Sequence, residues 1–178
     1  MEGDLIPTGR VFAAVVPPAE AVAELVHRME GISIPGRPVP PPNWHVTLRF
    51  VGHIDQVPYE RWLAALDQAP LPGPFEVRVG GFGAFPRPAR ATVLWLGVEG
   101  DGLASLAAVV DEAAAAASLG HEERPFRAHL TLARIRPPQD VRGLTEDRGG
   151  WSVRFLVDRF HIMAAAGSRY RVYADFPL

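Results

Sequence analysis

Two short segments carry residues whose types and spacing could do chemistry: His45-Val46-Thr47-Leu48 and His129-Leu130-Thr131-Leu132. In a strand, residues i and i+2 point to the same side, about 6.5–7 Å apart along the chain. Each segment read as a strand therefore presents an imidazole and a hydroxyl together, while Val46, Leu48, Leu130 and Leu132 turn toward a core. Opening a phosphodiester with water needs a base on one side of phosphorus, an acid on the leaving oxygen opposite, and donors to the non-bridging oxygens. Two histidines supply acid and base near neutral pH, and two threonines supply neutral donors. A single His-x-Thr is common by chance and means little. Two of them, each followed by Leu and each with an arginine nearby, point to a shared phosphate site.

The surroundings of the two motifs repeat. Val11–Val16 reads as a buried strand stopped by Pro17-Pro18. A helix follows over Ala19–Met29 with Val22, Leu25, Val26 and Met29 at helical spacing, then a Pro/Gly-rich loop, then a strand over Trp44–Val51 with the first motif. Thr92–Val98 again reads as a buried strand. A helix capped by Asp101 and ended by Gly120 follows, then a polar loop, then a strand over Phe126–Ile135 with the second motif. His45 follows Val11 by 34 positions and His129 follows Val93 by 36. Two copies of one unit facing each other would bring their motifs to a common cleft.

Between the copies the pattern predicts a helix over Pro58–Gln68 and a strand over Phe75–Val79, with Gly83-Ala84-Phe85-Pro86 as a turn. After them it predicts strands over Ser152–Met163 and Arg169–Ala174, joined by a hairpin turn. Asp140–Gly150 is polar and reads as a mobile loop. The fold class expected is α+β: two pseudo-symmetric lobes, each a mostly antiparallel sheet with outer helices, around a central cleft. Residues 1–178 are read as one domain built of these lobes.

Bulk composition narrows the chemistry. The chain has no cysteine, which excludes disulfides, thiolate catalysis and cysteine–zinc sites. Its 48% hydrophobic and 21% charged residues suit an ordinary globular core, and no span is long and apolar enough for a membrane. Met1–Arg10 lacks a secretory pattern, so a cytoplasmic location and no membrane partner are expected. The net charge is −2, and all 18 basic residues are arginine, whose planar fork suits phosphate.

The chain resembles the two-histidine (2H) phosphoesterases, and among them the bacterial and archaeal RNA 2',3'-cyclic phosphodiesterases, also described as 2'-5' RNA ligase-like. The resemblance runs through Arg10-Val11-Phe12, Pro42–Gly52, Gly83–Pro86, Val93–Val98, Arg124–Arg134, Gly167–Tyr170 and Phe176–Leu178. It implies hydrolysis of an RNA 2',3'-cyclic phosphate end to a 2'-phosphate without a cofactor. His45 would be the proton donor to the departing 3'-oxygen, His129 the acceptor that activates water, and Thr47 and Thr131 the phosphate grips. The partner implied is RNA with a cyclic phosphate terminus; no protein partner is inferred. The reverse reaction would join such an end to a 5'-hydroxyl. Ala128 stands where many relatives carry proline, and Ile162–Ala165 lacks a serine often found there.

Other residues are candidates of a second rank. Arg134 is read as phosphate-binding, provided a bulge or the strand's end redirects it, because strict alternation would face it away from the motif. Arg127 shares the face of His129 and could reach phosphate or pair with Glu122 or Glu123. Arg49 is read as a surface residue. Trp44, Phe50, Phe85 and Phe126 could stack on bases, Phe85 foremost. His27, His53, His121 and His161 lack any motif, and His27 is read as a solvated helix residue. Acidic residues show no ligand-like spacing with His121 and His161, so no metal site is expected. Alternatives that the motifs leave open are an esterase of small cyclic nucleotides or of ADP-ribose 1'',2''-cyclic phosphate, a non-catalytic RNA-end-binding module, and a metal hydrolase.

Overall fold

The structure is a computed structural model, and it describes residues 6–146 and 150–178. Residues 1–5 of the amino-terminal stretch and 147–149 of the expected Asp140–Gly150 loop lie outside the described residues. The first unit holds strand β1 (Val11–Val15), helix α1 (Ala19–Arg28), the two-residue strand β2 (Arg37–Pro38) and strand β3 (Val46–Gly52). Helix α2 (Gln56–Asp67) and strand β4 (Phe75–Phe85) connect it to the second unit of β5 (Ala91–Glu99), α3 (Asp101–Ala116) and β6 (His129–Gln139). A short helix α4 (Arg142–Glu146) and strands β7 (Val153–Val157), β8 (Arg159–Ala166) and β9 (Arg169–Pro177) complete the chain.

The order β7-β4-β5-β6-β3-β1-β8-β9 forms one antiparallel sheet, with β2 paired to β6 beside this path. The two expected lobes are its two halves. They meet where the motif strands β3 and β6 touch, through the single pair Val46–Leu130. Each motif strand is backed by the first strand of its own unit, β1 on β3 and β5 on β6. A pseudo-twofold relation thus passes between the histidine strands.

One predicted strand divides. Ser152–Met163 is not one strand but two, β7 and β8, broken at Asp158. β7 pairs with β4 at one end of the sheet and β8 with β1 near the other. A single linking residue can join strands so far apart in the order only if the sheet curls until its ends approach. The core lies on the face that carries the helices: α3 packs on α2 and β3, burying Leu103, Leu106 and Val110 with Trp62, Val46 and Leu130. At about 25 cal/mol per Å² of apolar surface, this continuous cluster supplies the main drive to fold. Among the described residues, the opposite face holds a small cluster around Phe12, Ala14 and Met163, with Tyr170 against it.

Helix ends differ from expectation. Gly100, not Asp101, is the N-cap of α3, and Asp101 sits in the first turn, where its charge still favours the helix dipole. The helix stops two residues before Ser118, which takes the left-handed conformation at φ 68°, rather than at Gly120. Of the apolar residues on α1, Val26 is 41% exposed and lies off the core.

Candidate active site

His45 immediately precedes β3 and His129 opens β6, so the two imidazoles flank the seam between the halves. Both are held the same way. Nδ1–H of His45 donates to the carbonyl of Asn43 at 2.8 Å, and Nδ1–H of His129 donates to the carbonyl of Arg127 at 2.7 Å. Each bond runs to the residue two positions back, fixing the tautomer and leaving Nε2 free for proton transfer. Rings brace each imidazole as well. His45 lies 4.9 Å from Phe12 and edge-on to Tyr170 at 5.0 Å; His129 lies edge-on to Phe85 at 5.0 Å and 6.0 Å from Trp95.

His45, Thr47, His129, Thr131 and Arg134 all line one open cavity of about 240 Å³. The same-face geometry read from the sequence therefore brings the four motif residues together. Arg134 joins them through a bulge. β6 reads buried, half-buried, buried, buried, exposed from Leu130 to Arg134, and its register with β5 slips between the pairs Trp95–Thr131 and Leu94–Ala133. The extra residue flips the strand, so the arginine that alternation would turn away faces the cavity.

β3 has the same bulge at the equivalent place, its register with β1 slipping between Ala14–Thr47 and Ala13–Arg49. Here it turns Phe50 into the cavity, 42% exposed, and sends Arg49 inward. This corrects the surface reading of Arg49. It is 7% exposed, within 2.8 Å of Asp111 and 3.3 Å of Glu122, and donates to the carbonyls of Leu119 and Gly120. Arg49 thereby ties the first motif strand to the segment that leads into the second.

Other candidates fall out differently. Phe85 is the last residue of an eleven-residue β4 rather than part of a turn, and it lines the cavity. The glycines before it make room: any Cβ on Gly83 would collide with the Trp95 ring. Arg127 makes no ion pair with Glu122 or Glu123; its guanidinium lies over the rings of Phe85 and Trp95 at 5.6 and 5.8 Å, and it is not among the cavity-lining residues. Glu122 pairs with Arg49 and Arg124 instead. Trp44 is a core residue whose indole N–H donates to the Val39 carbonyl. Phe126 is exposed, off the cavity lining. His27 pairs with Glu30, His121 with Asp111 and His161 with Asp175, and no group of metal-ligating side chains forms among the described residues. The sequence reading missed Arg10, Phe12 and Tyr170 as lining residues, because they reach the cavity from β1 and from the β8–β9 hairpin.

Both histidines titrate below the usual histidine range. For His45, burial is the largest cause, opposed by the Asn43 hydrogen bond and reinforced by the charges of His129 and Arg134. For His129, burial again leads, opposed by the Arg127 carbonyl and reinforced by the Arg127 charge. These surroundings favour neutral imidazoles, and an entering anion would draw protons back.

The chain is similar in sequence and fold to several known proteins. A family model described as LigT-like phosphoesterase matches residues 15–95. The chain is 32% identical over 128 residues to the RNA 2',3'-cyclic phosphodiesterase of Aeropyrum pernix, spanning 70% of this chain and 72% of that protein. It is 34% identical over 140 residues to the protein of the same name from Thermus thermophilus, spanning 72% and 70%. Among solved structures, a crystal structure of a Thermus thermophilus protein superposes with a TM-score of 0.74 at 27% identity, over 95% of this chain and 97% of that one. Escherichia coli LigT complexed with 3'-AMP superposes with a TM-score of 0.72 at 27% identity, over 96% and 95%.

Proposed function

The chain belongs to the LigT-like phosphoesterases of the two-histidine superfamily, and from that premise we propose that it is an RNA 2',3'-cyclic phosphodiesterase that opens cyclic phosphate ends to 2'-phosphomonoesters. The observation that carries the reading is the pair of histidines, each with Nδ1 anchored to a backbone carbonyl, on opposite flanks of one cavity that Thr47, Thr131 and Arg134 also line.

In this reading the cyclic phosphate sits between the motifs, its non-bridging oxygens held by the hydroxyls of Thr47 and Thr131 and the guanidinium of Arg134. Nε2 of neutral His129 takes a proton from water as the water oxygen bonds to phosphorus. Nε2–H of protonated His45 gives its proton to the 3'-oxygen as the P–O3' bond breaks. The product keeps the phosphate on the 2'-oxygen. One histidine gains a proton and the other loses one, so a turnover ends with the two roles exchanged until solvent resets them. The phosphate anion supplies what His45 needs: its negative charge favours the imidazolium that burial disfavours in the free protein. The same steps in reverse, with a 5'-hydroxyl in place of water, would form a 2'-5' linkage. Acid and base both come from side chains, so turnover is expected to be undiminished in EDTA. The cleft belongs to both halves, and residues 1–178 act as one catalytic domain.

The test is substitution of either histidine. His45→Ala and His129→Ala should each abolish opening of a cyclic-phosphate RNA end while circular dichroism stays native. Near-normal turnover by either variant contradicts the proposal.

A further inference from the structure

Two arginines stand where a folded protein would ordinarily avoid them. Arg37 of β2 is directly opposite Arg134 of β6 in an antiparallel pair. Directly opposed residues share a face with Cβ atoms about 4.5–5.5 Å apart, and like charges there are destabilising. Neither guanidinium has a carboxylate partner among the described residues. Some other exposed arginines are paired, as Arg28 is with Glu24, Arg154 with Glu76 and Arg159 with Asp175.

The backbone holds this pair in place. The Val39 N–H donates to the Leu132 carbonyl at 2.7 Å and extends the short ladder. Gly36, at φ +80°, lets β2 lie against β6 where a Cβ would meet the Arg134 carbonyl oxygen at 2.5 Å. A repulsive pair fixed by a tight backbone approach is the arrangement expected where bound anions neutralise both cations.

Arg134 lines the catalytic cavity and Arg37 stands outside its lining. Resting on the hydrolase reading above, we propose that Arg37 forms a second anion subsite, taking the phosphate on the 5' side of the terminal nucleotide while Arg134 contacts the cyclic phosphate. The protein then prefers the end of an RNA chain to a free cyclic nucleotide. Charge segregation of this kind is compatible with a net charge of −2 on the whole chain.

The experiment compares kcat/KM on three substrates: a 2',3'-cyclic mononucleotide with a free 5'-hydroxyl, the same compound with a 5'-phosphate, and a short RNA ending in a 2',3'-cyclic phosphate. For the unaltered protein, adding the 5'-phosphate should recover most of the advantage of the RNA. Arg37→Gln should lower kcat/KM on the latter two by roughly tenfold, the scale of one charge-assisted contact, and leave the 5'-hydroxyl compound within about twofold. Arg37→Lys should restore most of the loss. The slope of log(kcat/KM) for the RNA against log salt should become shallower by about 0.7 in Arg37→Gln, as for one phosphate contact on a single strand. An equal loss on all three substrates, or no loss on the RNA, overturns the subsite. Failure of the unaltered protein to open any of the three would instead overturn the hydrolase reading.

Discussion

At the scale of residues, the site depends on how a histidine's two nitrogens are divided. Nδ1 of His45 and of His129 is committed to a carbonyl, so each ring can exchange a proton only through Nε2. Because burial lowers both pKa values in the free protein, kcat/KM should follow a bell with its maximum below pH 6.5. The bell for kcat, which reports the complex, should lie at higher pH, since bound phosphate raises both pKa values. Coincident profiles, or a flat kcat/KM between pH 5 and 9, would contradict this assignment. The threonines act as neutral donors to charged oxygens. Thr47→Ala and Thr131→Ala should each lower kcat by about 10²- to 10³-fold, as loss of one such donor does elsewhere. A loss under threefold in single-turnover assays would remove that threonine from the phosphate site.

At the scale of elements, the paired β-bulges decide which side chains enter the cavity. Period-two alternation places His45 with Thr47 and His129 with Thr131, so these four are legible as a set from sequence. Alternation cannot show that β3 and β6 each insert an extra residue, because a bulge is a matter of register against the neighbouring strand. For that reason the reading of Arg134 is conditional on a bulge or the strand's end, and Arg49 lies buried where the pattern puts it on the surface. The segment Gly83-Ala84-Phe85-Pro86 reads as a turn, yet Gly83 makes room for the Trp95 ring packed on it, and β4 continues to Phe85. The break at Asp158 is likewise hidden, since both flanking segments alternate as one strand would. The buried guanidinium of Arg49 faces Asp111 and Glu122, so Arg49→Met removes the buried cation from two carboxylates whose other partners, His121 and Arg124, are exposed. It should cost about 3–5 kcal/mol in urea unfolding, the usual penalty for breaking a buried pair. A cost below about 1 kcal/mol, the scale of an exposed pair, would show that the clamp contributes little.

At the scale of the whole molecule, catalysis and stability are linked through protons. The folded protein holds His45, His129 and His161 below the ordinary histidine pKa, with burial the leading cause in each case. Between pH 6.5 and those lowered values, the unfolded chain binds more protons than the folded one. Stability should therefore be full above pH 6.5 and fall as pH drops through that window. The urea midpoint is the measurement, and the double variant His45→Ala/His129→Ala should show a shallower decline. An identical pH dependence in that variant would mean that the two rings do not carry the effect. Organisation at this scale is partly readable: the repeated strand–helix–strand order locates the pseudo-twofold relation. What it lacks is the closure of the halves into one curled sheet, which rests on the non-local pair Val46–Leu130.

The chemistry turns on which oxygen leaves phosphorus. An RNA oligomer ending in a 2',3'-cyclic phosphate, incubated with the protein in EDTA and resolved against both isomeric standards, should yield the 2'-phosphate alone. Formation of the 3'-phosphate would contradict the assignment of His45 to the 3'-oxygen, and absence of any turnover would contradict the activity itself.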